Sequence, residues 1–88
     1  MPKKIPVWDS TKREILKWIE VEKLSFEDIL LRLLEELAIL KDNYYYFLDI
    51  RKYNETVLLC IKIGNKIIAE YLIFIDREKD EASVEKVL

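Results

Sequence analysis

Histidine is missing from these 88 residues altogether; cysteine and glycine occur once each, and proline twice. Without histidine, the commonest acid–base side chain is gone and the usual zinc ligand sets cannot be assembled, so no metal or other cofactor is expected. A lone Cys60 forms no intramolecular disulfide and points to a reducing, cytoplasmic compartment. Its simplest role is that of a small buried hydrophobe. No apolar run reaches the roughly 18 residues of a membrane span, and no signal-like apolar stretch follows the N-terminal lysines. There is no Gly-rich phosphate loop, and no Ser or Cys stands beside a plausible base. The expectation is therefore a protein that is not an enzyme.

What is present describes a folded chain. Apolar residues make up 51%, and 36% are charged with a net charge of only −2. A chain this short buries a modest core, which favours help from oligomerisation. Abundant Lys, Glu and Ile with little Gly suits a thermophile. Residues 1–23 carry six Lys/Arg against four acids, whereas the tail from Asp76 is acidic. Any nucleic-acid contact would therefore come from the N-terminal third.

The periodicity changes along the chain. Lys3–Trp8 alternates as a strand, with Ile5 and Val7 on one side and Lys4, Pro6 and Trp8 on the other. Asp9 and Ser10 offer helix-capping side chains, and Ile15, Leu16 and Ile19 form a helical stripe, so a first helix is expected from Ser10 to Glu22. Ser25 caps a second helix over "FEDILLRLLEELAIL", ended by Asp42 and Asn43, whose apolar stripe is wider than one neighbouring helix covers. From Tyr44 the period becomes two. "YYYFLDIRKY", "TVLLCIKI" and "KIIAEYLIFID" read as antiparallel strands joined at Asn54-Glu55 and Gly64-Asn65. Both faces of this meander are partly apolar. One side should cover helices, and the other, with Phe47, Leu58, Cys60, Ile68, Leu72 and Phe74, should contact something else. Residues 82–88 fit either a strand or a helix.

The order of a short strand, a capped helix, a tight turn and a second Leu-rich helix over residues 3–40 resembles the ribbon-helix-helix family, in particular its archaeal antitoxins and small plasmid or viral regulators. "SFEDILLRLLEEL" carries most of the likeness. The resemblance implies an α+β protein in two parts: 1–42 for dimerisation and DNA binding, and 43–88 as a β-meander extension of three to four strands. Two copies of the strand would pair into a ribbon that enters the major groove. Ile5, Val7, Ile29, Leu30, Leu33, Leu34 and Leu37 would form the dimer core. Lys3, Lys4, Pro6, Trp8, Lys12 and Arg13 would face DNA, and the N–H groups at Ser25 and Phe26 would hold a phosphate. The implied partners are a second copy, double-stranded DNA, and a protein docked on the C-terminal sheet.

A second reading makes the chain a non-enzymatic protein–protein interaction module with no nucleic-acid role. In it, residues 3–8 form an edge strand of the chain's own sheet. The two readings differ in one observable, the pairing partner of Lys3–Trp8. The Tyr44–Tyr46 run could stack bases, but at a strand start it reads more simply as part core and part edge.

Overall fold

The strand Lys3–Asp9 pairs within its own chain, as an inner strand and not at the edge of the sheet. In the computed structural model, which describes residues 2–36 and 46–88, β1 (Lys3–Asp9) forms an antiparallel hairpin with β2 (Glu14–Val21). The single helix α1 (Phe26–Glu36) follows, and then β3 (Tyr46–Tyr53), β4 (Thr56–Ile63), β5 (Lys66–Asp76) and β6 (Glu81–Lys86). All six strands join one sheet in the order β2-β1-β6-β5-β4-β3. Its pairings are antiparallel except for β1 with β6, which run parallel through Val7↔Val84, Trp8↔Glu85 and Asp9↔Lys86.

This arrangement corrects the expected fold. The ribbon-helix-helix order fails because residues 14–21 form a strand rather than the body of a helix. It fails again because β1 is flanked by β2 and β6 and has no free side for the same strand of a second copy. Pro6, which has no N–H to donate, lies one residue before the ladder to β6 begins. The division at 42/43 falls outside the described residues, and strands from both sides of it share one sheet.

The misread helix has two physical causes. Asp9 looks like an N-cap, and its Oδ1 does accept from the N–H groups of Thr11 (2.9 Å) and Lys12 (3.1 Å). Those same bonds also fasten a turn, because a short carboxylate reaches the N–H groups two and three residues on in either setting. The loop closes with Arg13 N–H donating to the Asp9 carbonyl (2.7 Å) and with Arg13 left-handed at φ 56°. The second cause is a β-bulge at Leu16: Val7 faces Lys17, but Trp8 faces Ile15. One extra residue shifts the parity of the strand, so that Ile15, Leu16 and Ile19 imitate helical spacing.

The chain uses this loop twice. Asp76 Oδ1 accepts from the N–H groups of Glu78 (3.1 Å) and Lys79 (3.2 Å), and Asp80 is left-handed at φ 54°. "DSTKRE" (9–14) and "DREKDE" (76–81) share Asp, Lys and Glu at the first, fourth and sixth places. The two loops therefore turn the β1–β2 and β5–β6 hairpins by the same device. Of residues 82–88, undecided from the sequence, those up to Lys86 belong to the strand β6.

The core lies between the sheet and α1. Ser25 Oγ accepts from Asp28 N–H (3.2 Å) and so caps the helix, as its sequence suggests. Ile29 and Leu33, one turn apart, are fully buried, and Leu30 and Leu34 pack partly against the same core. Opposite them the sheet presents Ile5, Val7, Ile19, Val57, Leu59, Ile61, Ile73, Ile75 and Val84. Ile5, Val7, Ile29 and Leu33 thus serve the chain's own core in place of a dimer core. Leu37, Tyr44, Tyr45 and the expected end of the second helix lie outside the described residues. Among the described residues, no helix is long and apolar enough to cross a membrane.

Candidate functional surface

Because α1 covers one face, the character of the other face decides what the sheet can do. No described element packs on it. Alternation along each strand sends every second side chain there, and the register of the strands aligns these residues into rows across the sheet. One row runs from Trp18 to Pro6 on β1, and from Ser83 through Phe74 and Thr56 to Tyr53. The next runs Ile15, Trp8, Glu85, Leu72, Leu58 and Arg51. Continuing the parallel β1–β6 register by one residue sets Pro6 beside Ser83 and makes the first row continuous.

These two central rows are predominantly apolar and open to solvent. Tyr53 is 60% exposed, Trp18 55%, Phe74 45%, Ile15 43% and Trp8 38%. Large apolar side chains are scattered singly over most protein surfaces, but a contiguous patch on one flat face signals contact with another molecule. Flanking rows are charged. On one side lie Glu20 and Lys4, paired across β2 and β1, with Asp76 and Glu81 paired across β5 and β6. On the other are Glu70, Cys60 and Asp49. Asp49 lies 3.6 Å from both Arg51 and Lys62. An apolar centre with a charged margin is the composition of a protein interface.

The sign of that margin bears on its partner. Lys4 and Lys62 are its cations, against Glu20, Asp49, Glu70, Asp76 and Glu81, and the central rows add Arg51 and Glu85. Aromatic sheet faces do serve as base-stacking platforms, but they work together with cationic paths for the phosphates. Here acids outnumber bases two to one, and that field repels a polyanion.

The residues expected to bind DNA are dispersed. Lys4, Pro6 and Trp8 do share the outward side of β1, as their alternation indicates. Lys3 points to the helix side and pairs with Asp80 at the β5–β6 loop. Lys12 and Arg13 occupy the β1–β2 loop. Ser25 and Phe26 start α1 on the opposite face, where Phe26 is buried and Lys52 Nζ sits 5.2 Å from its ring centroid. The structure brings no phosphate-binding set together from these residues. Trp18 was expected in a helix, yet it stands on the same face as Trp8. Alternation in residues 17–21 is the signal that would have placed it there.

Polar chemistry elsewhere is structural. Asp9 is buried, and the Lys12 N–H holds its carboxyl below the ordinary value against the opposing effect of burial. Ser10 Oγ and N–H both donate to the Lys86 carbonyl (2.8 and 3.1 Å), fastening the first loop to β6. Burial raises the Tyr71 phenol, and Asp9 adds to the shift. Burial likewise raises the Cys60 thiol, which is the opposite of an activated nucleophile. Among the described residues, no group of three or more Cys, Asp or Glu is placed to hold a metal ion. Comparison with protein-family models, curated proteins and solved structures finds no match to this chain.

Proposed function

We propose that this chain is a non-enzymatic protein-interaction module whose contact surface is the uncovered face of its sheet. One observation carries the reading: the two aligned rows holding Trp8, Trp18, Leu58, Leu72 and Phe74 are left open by the only described helix. An unneeded face would be expected to carry polar residues at alternate positions, as half-solvated antiparallel sheets do. Here the central outward positions of four strands carry large apolar side chains instead. Intrachain pairing of Lys3–Trp8 also favours this reading over a DNA-binding ribbon. The acidic surplus on the face favours a protein over a nucleic acid.

Site-specific photo-crosslinking tests the proposal. A photoreactive amino acid at position 74 should yield protein adducts in cells, and the same group at exposed position 11 should not. Trp18→Lys should abolish the adducts from position 74. If position 74 gives no adduct, or gives the same adducts as position 11, the face is not a contact surface.

A further inference from the structure

We infer that the occupant of the uncovered face is a second copy of this chain, packed face to face across a two-fold axis perpendicular to the strands. The inference rests on the interaction reading above and names its partner. Such an axis, lying midway between the two sheets and between the two apolar rows, exchanges the rows. Phe74 then lies over the partner's Leu72, Pro6 over the partner's Trp8, and Thr56 over the partner's Leu58.

The two charges within these rows decide between possible symmetries. Under row exchange, Arg51 meets the partner's Tyr53 ring, a cation–π arrangement. Glu85 meets the partner's Ser83, whose hydroxyl can donate to the carboxylate. A two-fold axis along the strands, through the middle of the sheet, would instead set Glu85 against the partner's Leu72 and Arg51 against the partner's Ile15. That arrangement buries Glu85 without a partner, at high cost, and leaves Arg51 only its own chain's Asp49. The register therefore makes the face self-complementary in one orientation and not in the other.

The available area suffices. Six strands at about 4.8 Å spacing, over two apolar rows and their charged flanks, give a footprint roughly 24 Å by 20 Å. Two such footprints make roughly 960 Å² as flat area, and the relief of the side chains raises this past the roughly 1,000 Å² that a specific interface needs. The product is a sandwich of two sheets with a helix outside each, in which the central apolar rows of both copies are covered. The acidic margins of the two copies repel, so association should strengthen as salt screens them.

Sedimentation velocity on the full chain, from low micromolar to sub-millimolar concentration at low and high salt, tests this. The wild type should dimerise, more tightly at high salt. Phe74→Lys, at a solvent-exposed position outside the core, should remain folded by circular dichroism. It should weaken the dimer about a hundredfold or more, as expected for a charge in the centre of an interface. Glu85→Gln should keep the hydrogen bond, lose the buried charge, and tighten the dimer. A folded wild type that stays monomeric throughout overturns the second copy as occupant, and leaves the face open to a different protein. Dimerisation of wild type and Phe74→Lys with equal affinity shows that copies meet elsewhere, and overturns the second copy as occupant of this face. Weaker dimerisation by Glu85→Gln overturns the row-exchange orientation.

Discussion

Replacing Arg13 by glycine separates the observed hairpin from the helix its sequence imitates, by sign alone. Arg13 sits at φ 56°, a region that costs an L-residue roughly 1–2 kcal/mol. Glycine escapes that cost but gives up roughly 0.5–1 kcal/mol more chain entropy on folding. The N–H of residue 13 still donates to the Asp9 carbonyl, so the expected balance is a gain of about 0.5–1 kcal/mol. In a domain of this size, 1 kcal/mol moves the melting temperature by about 4–8 °C. Arg13→Gly should therefore melt about 2–8 °C higher in reversible calorimetric or circular-dichroism scans. Inside a helix running from Ser10 to Glu22, the same substitution would cost about 1 kcal/mol and lower the melting temperature. Asp80→Gly supplies an internal comparison at the equivalent place of the second loop. Asp tolerates the left-handed region better, and Asp80 also pairs with the Lys3 ammonium, an exposed contact contributing under about 1 kcal/mol. Its gain should be the smaller of the two. A lower melting temperature for Arg13→Gly would refute the loop geometry and the shared design of the two hairpins.

Leu33→Ala should cost about 2–5 kcal/mol by denaturant titration, because its fully buried side chain fills the space between α1 and the sheet; a cost below 1 kcal/mol would remove α1 from the core. Asp9 has a lowered pKa, so its contribution is complete above its unfolded value near 3.8 and is lost as pH falls through the lower folded value. The stability difference between wild type and Asp9→Asn should accordingly shrink as pH drops below about 4; a difference that persists unchanged into strong acid would contradict the role of the charge. Cys60, buried and with its thiol raised, should react slowly with a disulfide reagent until denaturant is added. Fast reaction in native buffer would show that this part of the sheet opens.

The parts of this fold that were legible in the sequence are those governed by local rules. Ser25 caps its helix through the hydroxyl-to-N–H bond that its position suggests, and the stripe of Ile29 and Leu33 is buried as helical spacing implies. The stretches 46–53, 56–63 and 66–76 alternate plainly, and Leu58, Leu72 and Phe74 were already visible as a second apolar face needing a partner. The illegible parts are non-local or ambiguous by nature. Nothing local in β1 states that it will lie parallel to β6, some 77 residues later. Asp9 makes the same two hydrogen bonds whether it starts a helix or closes a turn, so its chemistry could not separate the two. The Leu16 bulge then removed the alternation that would have decided the matter. Once β2 is a strand, a ribbon-helix-helix core cannot form, and the residues grouped as a DNA surface separate onto two faces and a loop.

The most direct measurement of the central claim is tryptophan emission of the full chain across a dilution series, read beside its sedimentation coefficient. Trp8 and Trp18 are the chain's two tryptophans, and both lie on the uncovered face in its central apolar rows. If that face is where copies meet, emission should move to shorter wavelength and acrylamide quenching should fall with the same midpoint as dimer formation. Phe74→Lys should hold both tryptophans in the exposed state at every concentration. Dimers that form while emission and quenching stay unchanged would contradict the assignment of this face.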